Sequence, residues 1–245
     1  MAGNVILSAR MQAVADMAEK GNRVCDVGCD HGYVPIYLVQ RGIAPKVLAM
    51  DINKGPLRRA MEHVERAGLS EYITLRLSDG LLSYACGEAD TLICAGMGGR
   101  LMQKILEREP EKTDSFREMI LQPQSEIADF RKFLRNKGYS ICQEDMIWEG
   151  DKFYPIIKAV PGKHQGLPEQ DSMEIALADR FGPVLLSKRH PVLLAYLQRE
   201  LENNLSLKEK LKEAEESARA KRRLLEIEEE LFYLREALRL CGREP

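Results

Sequence analysis

From the N-terminus to about residue 160, short apolar runs rich in β-branched residues alternate with amphipathic stretches. The runs are RVCDVG from Arg23, KVLAMD from Lys46, YITLRL from Tyr72, DTLICA from Asp90 and EMILQ from Glu118. Between them, Lys54 to Gly68 and Ser125 to Gly138 carry apolar side chains at helical spacing. Strand and helix alternating in this way predict βαβ crossovers and an α/β fold with a parallel sheet covered on both faces. Gly42, Gly68 and Gly138 stand where helix C-caps belong. The pattern then changes. YSICQEDMIW and KFYPIIKAV are separated only by Glu149-Gly150-Asp151, which leaves no room for a crossover helix and predicts an antiparallel hairpin.

Pro161 to Asp171, PGKHQGLPEQD, reads as a linker, and the chain divides into an α/β domain (1–163) and a helical domain (164–245). In the second part Leu224, Ile227, Leu231, Leu234 and Leu238 recur three and four apart, forming a heptad-like seam. Leu194, Leu197, Leu201 and Leu211 form a less regular stripe that begins just after Pro191. Two such helices joined near Ala214 to Ala218 make an antiparallel, coiled-coil-like hairpin. The same seams are compatible with a monomer or with a weak dimer through the tail.

Composition narrows the class. With 245 residues, 44% of them hydrophobic, the chain has ample material for a packed core. A formal net charge of −2 advertises no polyanionic partner, so a nucleic-acid surface must come from locally segregated charge. No apolar run is long enough to span a membrane, and no signal peptide is evident, which leads to a cytoplasmic expectation. The six cysteines lack the paired spacing of a metal site and read as reduced thiols.

The segment Val24 to Pro35, VCDVGCDHGYVP, carries the chemistry. A buried strand enters a glycine turn and then a helix, at the end of the sheet where α/β folds bind ligands. A dinucleotide loop would read GxGxxG. Here Gly28 and Gly32 are present, but Asp30 occupies the place of the middle glycine. A carboxylate repels a pyrophosphate and attracts an ammonium or sulfonium, which favours S-adenosylmethionine over NAD. Asp51 closes the second strand, where it can accept the ribose hydroxyls or simply cap the next helix. Asp79-Gly80 follows the third strand and suits either adenine binding or an ordinary D-G turn. After the fourth strand, Ala95-Gly96-Met97-Gly98-Gly99 lacks the Asp/Asn-Pro-Pro-aromatic motif that orients exocyclic amines. That absence turns the expectation towards a ring nitrogen, whose in-plane lone pair is already nucleophilic.

LSARMQAVADM, DVGCDHGYVP, MDINKGPL, SDGL, AGMGG and LQPQSE, in this order, resemble the bacterial tRNA (adenine22-N1)-methyltransferase family, and the likeness runs through WEGDKFYPII to the helical tail. Cys29 and Gly32 stand where that family commonly has Ser or Thr and Ala, all of them small. The resemblance implies a Rossmann-like class I methyltransferase sheet and methylation of N1 of adenine 22 in tRNA with S-adenosylmethionine. The candidate cofactor site comprises Arg10, Asp26, Gly28, Asp30, Gly32, Asp51, Ile52, Asp79, Gly80, Gly96 and Met97, and no metal is expected. Asp30 is the candidate catalytic residue, since a carboxylate stabilises the cationic product. Arg10 suits the cofactor carboxylate or an RNA phosphate. His31 suits proton transfer from N6 or holding the loop backbone, and Tyr33 suits stacking on a flipped base or packing at the helix start. Two basic clusters are candidate tRNA contacts: Arg131, Lys132, Arg135 and Lys137 on one helix, and Arg219, Lys221, Arg222 and Arg223 on another. The rival readings are a nicotinamide-dependent oxidoreductase and a non-catalytic adaptor that docks partners through its helical tail.

Overall fold

In the computed structural model, which describes residues 4–162, 173–212 and 218–243, the five apolar runs and the hairpin become seven strands. They are β1 (Val24–Val27), β2 (Val47–Asp51), β3 (Ile73–Leu77), β4 (Thr91–Met97), β5 (Glu118–Pro123), β6 (Tyr139–Glu149) and β7 (Lys152–Pro161). One sheet contains them all in the order β3-β2-β1-β4-β5-β7-β6. β1 to β5 pair in parallel, and β7 lies antiparallel between β5 and β6. Every residue of β1, β2 and β5 is buried, which explains why these strands read as unbroken apolar runs without alternation. The strand order reverses between β1 and β4, so a crevice opens beyond their C-terminal ends.

One face of the sheet packs on α1 (Ala9–Asp16), α2 (Tyr33–Gln40) and α3 (Lys54–Ala67) through Val14, Val34, Ile36, Leu38, Ala60 and Val64. The opposite face packs on α4 (Gly99–Arg108), α5 (Pro110–Asp114) and α6 (Ile127–Asn136), with Met102, Leu106, Phe116, Phe130 and Leu134 inside. Ser8 caps α1 by accepting the Met11 N–H, and Gly68 ends α3 in the left-handed region at φ 70°.

Charge at the N-terminal ends of the strands, buried at Glu118 and partly exposed at Arg23, is paired within the chain. Glu118 holds Lys158 at 2.6 Å and accepts from the Thr91 hydroxyl at 2.7 Å and the Glu19 N–H at 2.8 Å. Arg23 grips Asp90 with two side-chain hydrogen bonds of 3.0 and 3.2 Å.

The chain divides into two compact units, residues 1–167 and 168–245. The boundary expected after residue 163 lies outside the described residues. In the second unit, α7 (Met173–Phe181) and the short α8 (Pro183–Ser187) precede the long α9 (Pro191–Lys212) and α10 (Ala218–Leu240). α9 and α10 run antiparallel: Lys208 pairs with Glu228 at 2.7 Å near one end, and Arg189 lies against Gly242 at the other. Ile227, Leu231, Leu234 and Leu238 are buried, as the heptad spacing predicts, and the turn expected near Ala214 falls largely outside the described residues. The expected hairpin is nevertheless incomplete as a description. α7 and α8 add Leu177, Phe181 and Leu185 to its core, and Arg180 sits 4.0 Å over the Tyr233 ring while pairing with Glu229 and Glu230.

Among the described residues no helix is long and apolar enough to cross a membrane, and no cluster of His, Cys, Asp and Glu is arranged to hold a metal ion. All six cysteines are free thiols, with Cys25, Cys29, Cys94 and Cys241 buried and Cys86 and Cys142 exposed.

Candidate active site at the strand C-termini

The turn after β1 is held from below and from the side. Gly28 and Cys29 donate their N–H groups to the Met50 carbonyl at 2.8 and 3.0 Å, joining the turn to the end of β2. Asp30 follows with φ 45°, a left-handed conformation that a non-glycine residue keeps only where its surroundings enforce it. Its N–H donates to Asp51 at 3.2 Å, and the other Asp51 oxygen accepts the Asn53 N–H at 2.8 Å. Asp51 therefore ties the β1 and β2 loops together, and its oxygens retain lone pairs for a further donor.

The Asp26 carboxylate sits beneath this turn, and no hydrogen bond within the described residues reaches it. Burial first, and the neighbouring Asp51 charge second, push its pKa up to about 7. Asp30 is its opposite: 64% of its side chain is exposed, 3.5 Å from His31 and 4.0 Å from Arg59. A cleft of about 440 Å³ opens between this turn, α1 and the β4 loop, lined by Ile6 to Ser8, Arg10, Asp26, Gly28, Asp30, Tyr33, Gly96, Met97 and Gln124 among others. The Met97 side chain lies so close over Gly28 that a Cβ there would collide with it, and Gly28 also has φ 81°. The Met97 methyl end can swing aside, so it is the left-handed backbone that favours glycine at that position.

Arg10 enters from α1. It donates to Gln122 Oε1 at 2.7 Å, lies 4.9 Å over the Tyr154 ring and approaches Glu149 at 4.0 Å, yet its buried Nε has no hydrogen-bond partner. An arginine with an unpartnered donor and two carboxylates bordering one cleft match the carboxylate, ammonium and sulfonium of S-adenosylmethionine.

The structure thus brings Arg10, Asp26, Gly28, Asp30, Tyr33, Gly96 and Met97 to one cleft. Gly32, Asp51, Ile52, Asp79 and Gly80 lie outside its lining, along the neighbouring strand ends. Ile52 is 59% exposed there, and Asp79 already pairs with Arg108 at 2.6 Å. The His31 ring takes a 3.3 Å hydrogen bond from Arg59, and the His31 carbonyl accepts from His63 at 2.9 Å. Tyr33 is partly exposed and stacks on His63 with ring centroids 4.9 Å apart. His63, Gln122 and Gln124 escape a reading of the chain, because only the tertiary fold carries them to the cleft region.

One expectation is corrected. Arg131 is 1% exposed and pairs at 2.8 Å with Glu144 of β6, so it belongs to the core and makes no RNA contact. Lys132 on the same helix is exposed, Arg135 is half-buried, and Lys137 pairs with Glu107 at 3.0 Å. In the second unit Arg219, Lys221, Arg222 and Arg223 are all exposed, with Arg222 and Arg223 both reaching Glu226.

Comparison with known proteins decides the family. A model described as a methyltransferase domain matches residues 7–157. The tRNA (adenine(22)-N(1))-methyltransferase of Bacillus subtilis is 32% identical across 95% of this chain and 97% of its own length. The chain belongs to the tRNA (adenine(22)-N(1))-methyltransferase family. Among solved structures, Bacillus subtilis TrmK superposes with a TM-score of 0.80 at 31% identity, covering 96% of this chain and 99% of that one. Mycoplasma capricolum TrmK, solved with S-adenosylhomocysteine, gives 0.77 at 26% identity, covering 96% and 99% respectively. Membership removes the oxidoreductase and adaptor readings.

Proposed function

We propose that this protein methylates N1 of adenine 22 in tRNA at the expense of S-adenosylmethionine, in the cytoplasm, with the cofactor held by the 1–163 domain. The observation that carries this reading is the placement of Arg10, Asp26 and Asp30 on the lining of one cleft, with Arg10 Nε lacking a hydrogen-bond partner. When bound, S-adenosylmethionine supplies a methyl carbon whose bond to cationic sulfur breaks with the electron pair left on sulfur. Arg10 takes the cofactor carboxylate and Asp26 its ammonium, which orients the methyl group for an in-line displacement. Asp51 would accept the ribose hydroxyls of the bound cofactor, and Ile52, Asp79 and Gly80 would hold its adenine ring. Asp30 stabilises the positive charge that the target ring acquires as its N1 lone pair forms the new bond. No base need act before attack, because neutral adenine already presents that lone pair.

Tyr33, Lys132, Arg135 and the Arg219 to Arg223 cluster are the tRNA contacts in this reading, and the 164–245 domain extends the footprint beyond a single base. The protein acts as a monomer or as a weak dimer through its helical tail. The test is methyl transfer to an unmodified tRNA transcript, with the modified nucleoside identified and position 22 varied. Formation of N1-methyladenosine that vanishes when adenine 22 is replaced is the expected result. Methylation elsewhere, or none, would overturn the reading.

A further inference from the structure

Two glutamines, Gln122 and Gln124, flank Pro123 at the end of β5, and the structure uses them differently. Gln122 is fully buried and fully engaged. Its Oε1 accepts the Gly96 N–H at 3.2 Å and Arg10 Nη1 at 2.7 Å, and its Nε2 donates to the Pro123 carbonyl at 3.1 Å. Gln124 is fixed only through its backbone, whose N–H donates to the Met97 carbonyl at 2.8 Å. Gln124 borders the cleft, and its solvent-exposed side chain makes no hydrogen bond within the described residues. It also stands close to the β4 loop, with Nε2 3.8 Å from where a Cβ on Gly96 would lie. Within the cleft lining His31 offers a donor and an acceptor as well, but both of its ring nitrogens are engaged, by Arg59 and by Asp30. Gln124 keeps a separate donor and acceptor in hand.

The chemistry of the reaction limits which edge of adenine a protein can hold. The N1 lone pair must stay open towards the methyl carbon, so a hydrogen bond to N1 would block the reaction it serves. The edge that remains distinctive is N6–H with N7, a donor beside an acceptor, and a carboxamide meets it with two parallel hydrogen bonds. Guanine presents two acceptors on the same edge, O6 and N7, and one carboxamide satisfies only one of them. We infer that Gln124 is the specificity-determining residue for the target base, its Oε1 accepting from N6–H and its Nε2 donating to N7 while N1 faces the methyl donor. Gly96, whose missing side chain would project towards Arg10 and Gln124, leaves this part of the cleft open to the flat base. This inference rests on the proposed function.

The test uses the full-length protein and two tRNA transcripts that differ by one atom, adenosine or 7-deazaadenosine at position 22. Binding is measured with S-adenosylhomocysteine present, and kcat/KM with S-adenosylmethionine. The unmodified protein is expected to prefer adenosine by about tenfold in both measurements, as befits half of a bidentate base contact. Gln124→Ala should reduce the binding preference to near unity and lower the kcat/KM ratio by the same factor, with calorimetric affinity for S-adenosylmethionine unchanged. Gln124→Glu should reverse the binding preference, because a carboxylate repels the N7 lone pair and tolerates the C7–H. Dividing the ratio of one variant by that of another cancels the altered intrinsic reactivity of the analogue. A wild-type ratio retained in Gln124→Ala would overturn the assignment of Gln124 alone. Failure of the unmodified protein to methylate the adenosine transcript would overturn the functional reading, and this inference with it.

Discussion

At the N-terminal ends of the strands, Glu118 is surrounded by Lys158, the Thr91 hydroxyl and the Glu19 N–H, and Lys158 in turn donates to the Met17 carbonyl at 3.0 Å. At the C-terminal ends of the same sheet, Asp26 is just as deeply placed, receives no such donors and faces a second carboxylate in Asp51. Both ends bury charge and differ only in whether the chain supplies the counter-charge. Where it does, the charge is scaffolding. Where it does not, a folded protein carries an electrostatic cost that a cationic ligand relieves, and pKa displacement of this kind marks a functional site.

The largest effect should come from breaking the satisfied end. Glu118→Ala leaves Lys158 buried without its partner and should lower unfolding stability by about 3–5 kcal/mol in a urea titration. Cofactor affinity, measured below the melting transition, should survive. A smaller effect is expected at the opposite end. Asp51→Ala removes the acceptor proposed for the cofactor ribose and should weaken S-adenosylmethionine binding by about 1.5–3 kcal/mol by calorimetry. Unchanged affinity in a folded variant would confine Asp51 to joining the two loops. Third, Asp30→Asn keeps the shape and removes the charge, so turnover should fall by more than about tenfold, each decade being about 1.36 kcal/mol of lost transition-state stabilisation. Weaker cofactor binding with full turnover would leave Asp30 an orienting role only.

The smallest effect is the most diagnostic of the comparison. With its carboxyl titrating at about 7 in the cofactor-free protein, Asp26 must lose its proton to receive an ammonium. Cofactor affinity should therefore fall by about tenfold between pH 7.5 and pH 6, with proton release on binding in that window. The folded pKa lies above the unfolded value of 3.8, so the contribution of Asp26 to stability is full below that value and is lost as pH rises through about 7. Asp26→Asn should accordingly raise the melting temperature of the cofactor-free protein at pH 8 and abolish the pH dependence of binding. A pH-independent affinity in the unmodified protein would place the proton elsewhere.

Much of this was legible in the chain because it is local. β1, β2 and β5 are contiguous apolar runs ending at turns, and the Gly28 to Gly32 segment carries its own conformational demands. The missed and misplaced residues are those whose partners are distant. RKFLRNK on α6 looks like a uniformly basic helix face until Glu144, on another element, draws Arg131 inside. Gln122 and Gln124 sit in an ordinary strand end, and only the fold shows one engaged and the other free. α7 and α8 escaped notice because each is short and follows a Pro/Gly-rich stretch, so their apolar residues show no sustained period.

The Arg131–Glu144 pair also has an evolutionary consequence. Replacing either side chain alone strands a full charge inside the domain, whereas replacing both with apolar groups of similar volume is close to neutral or favourable. These two positions are therefore bound to change together or not at all. Lys132, next to Arg131 and exposed, is under no such constraint. Across homologous chains, positions 131 and 144 should substitute in concert, while position 132 should follow the tRNA surface it is proposed to meet, giving adjacent residues of one basic helix two unrelated histories.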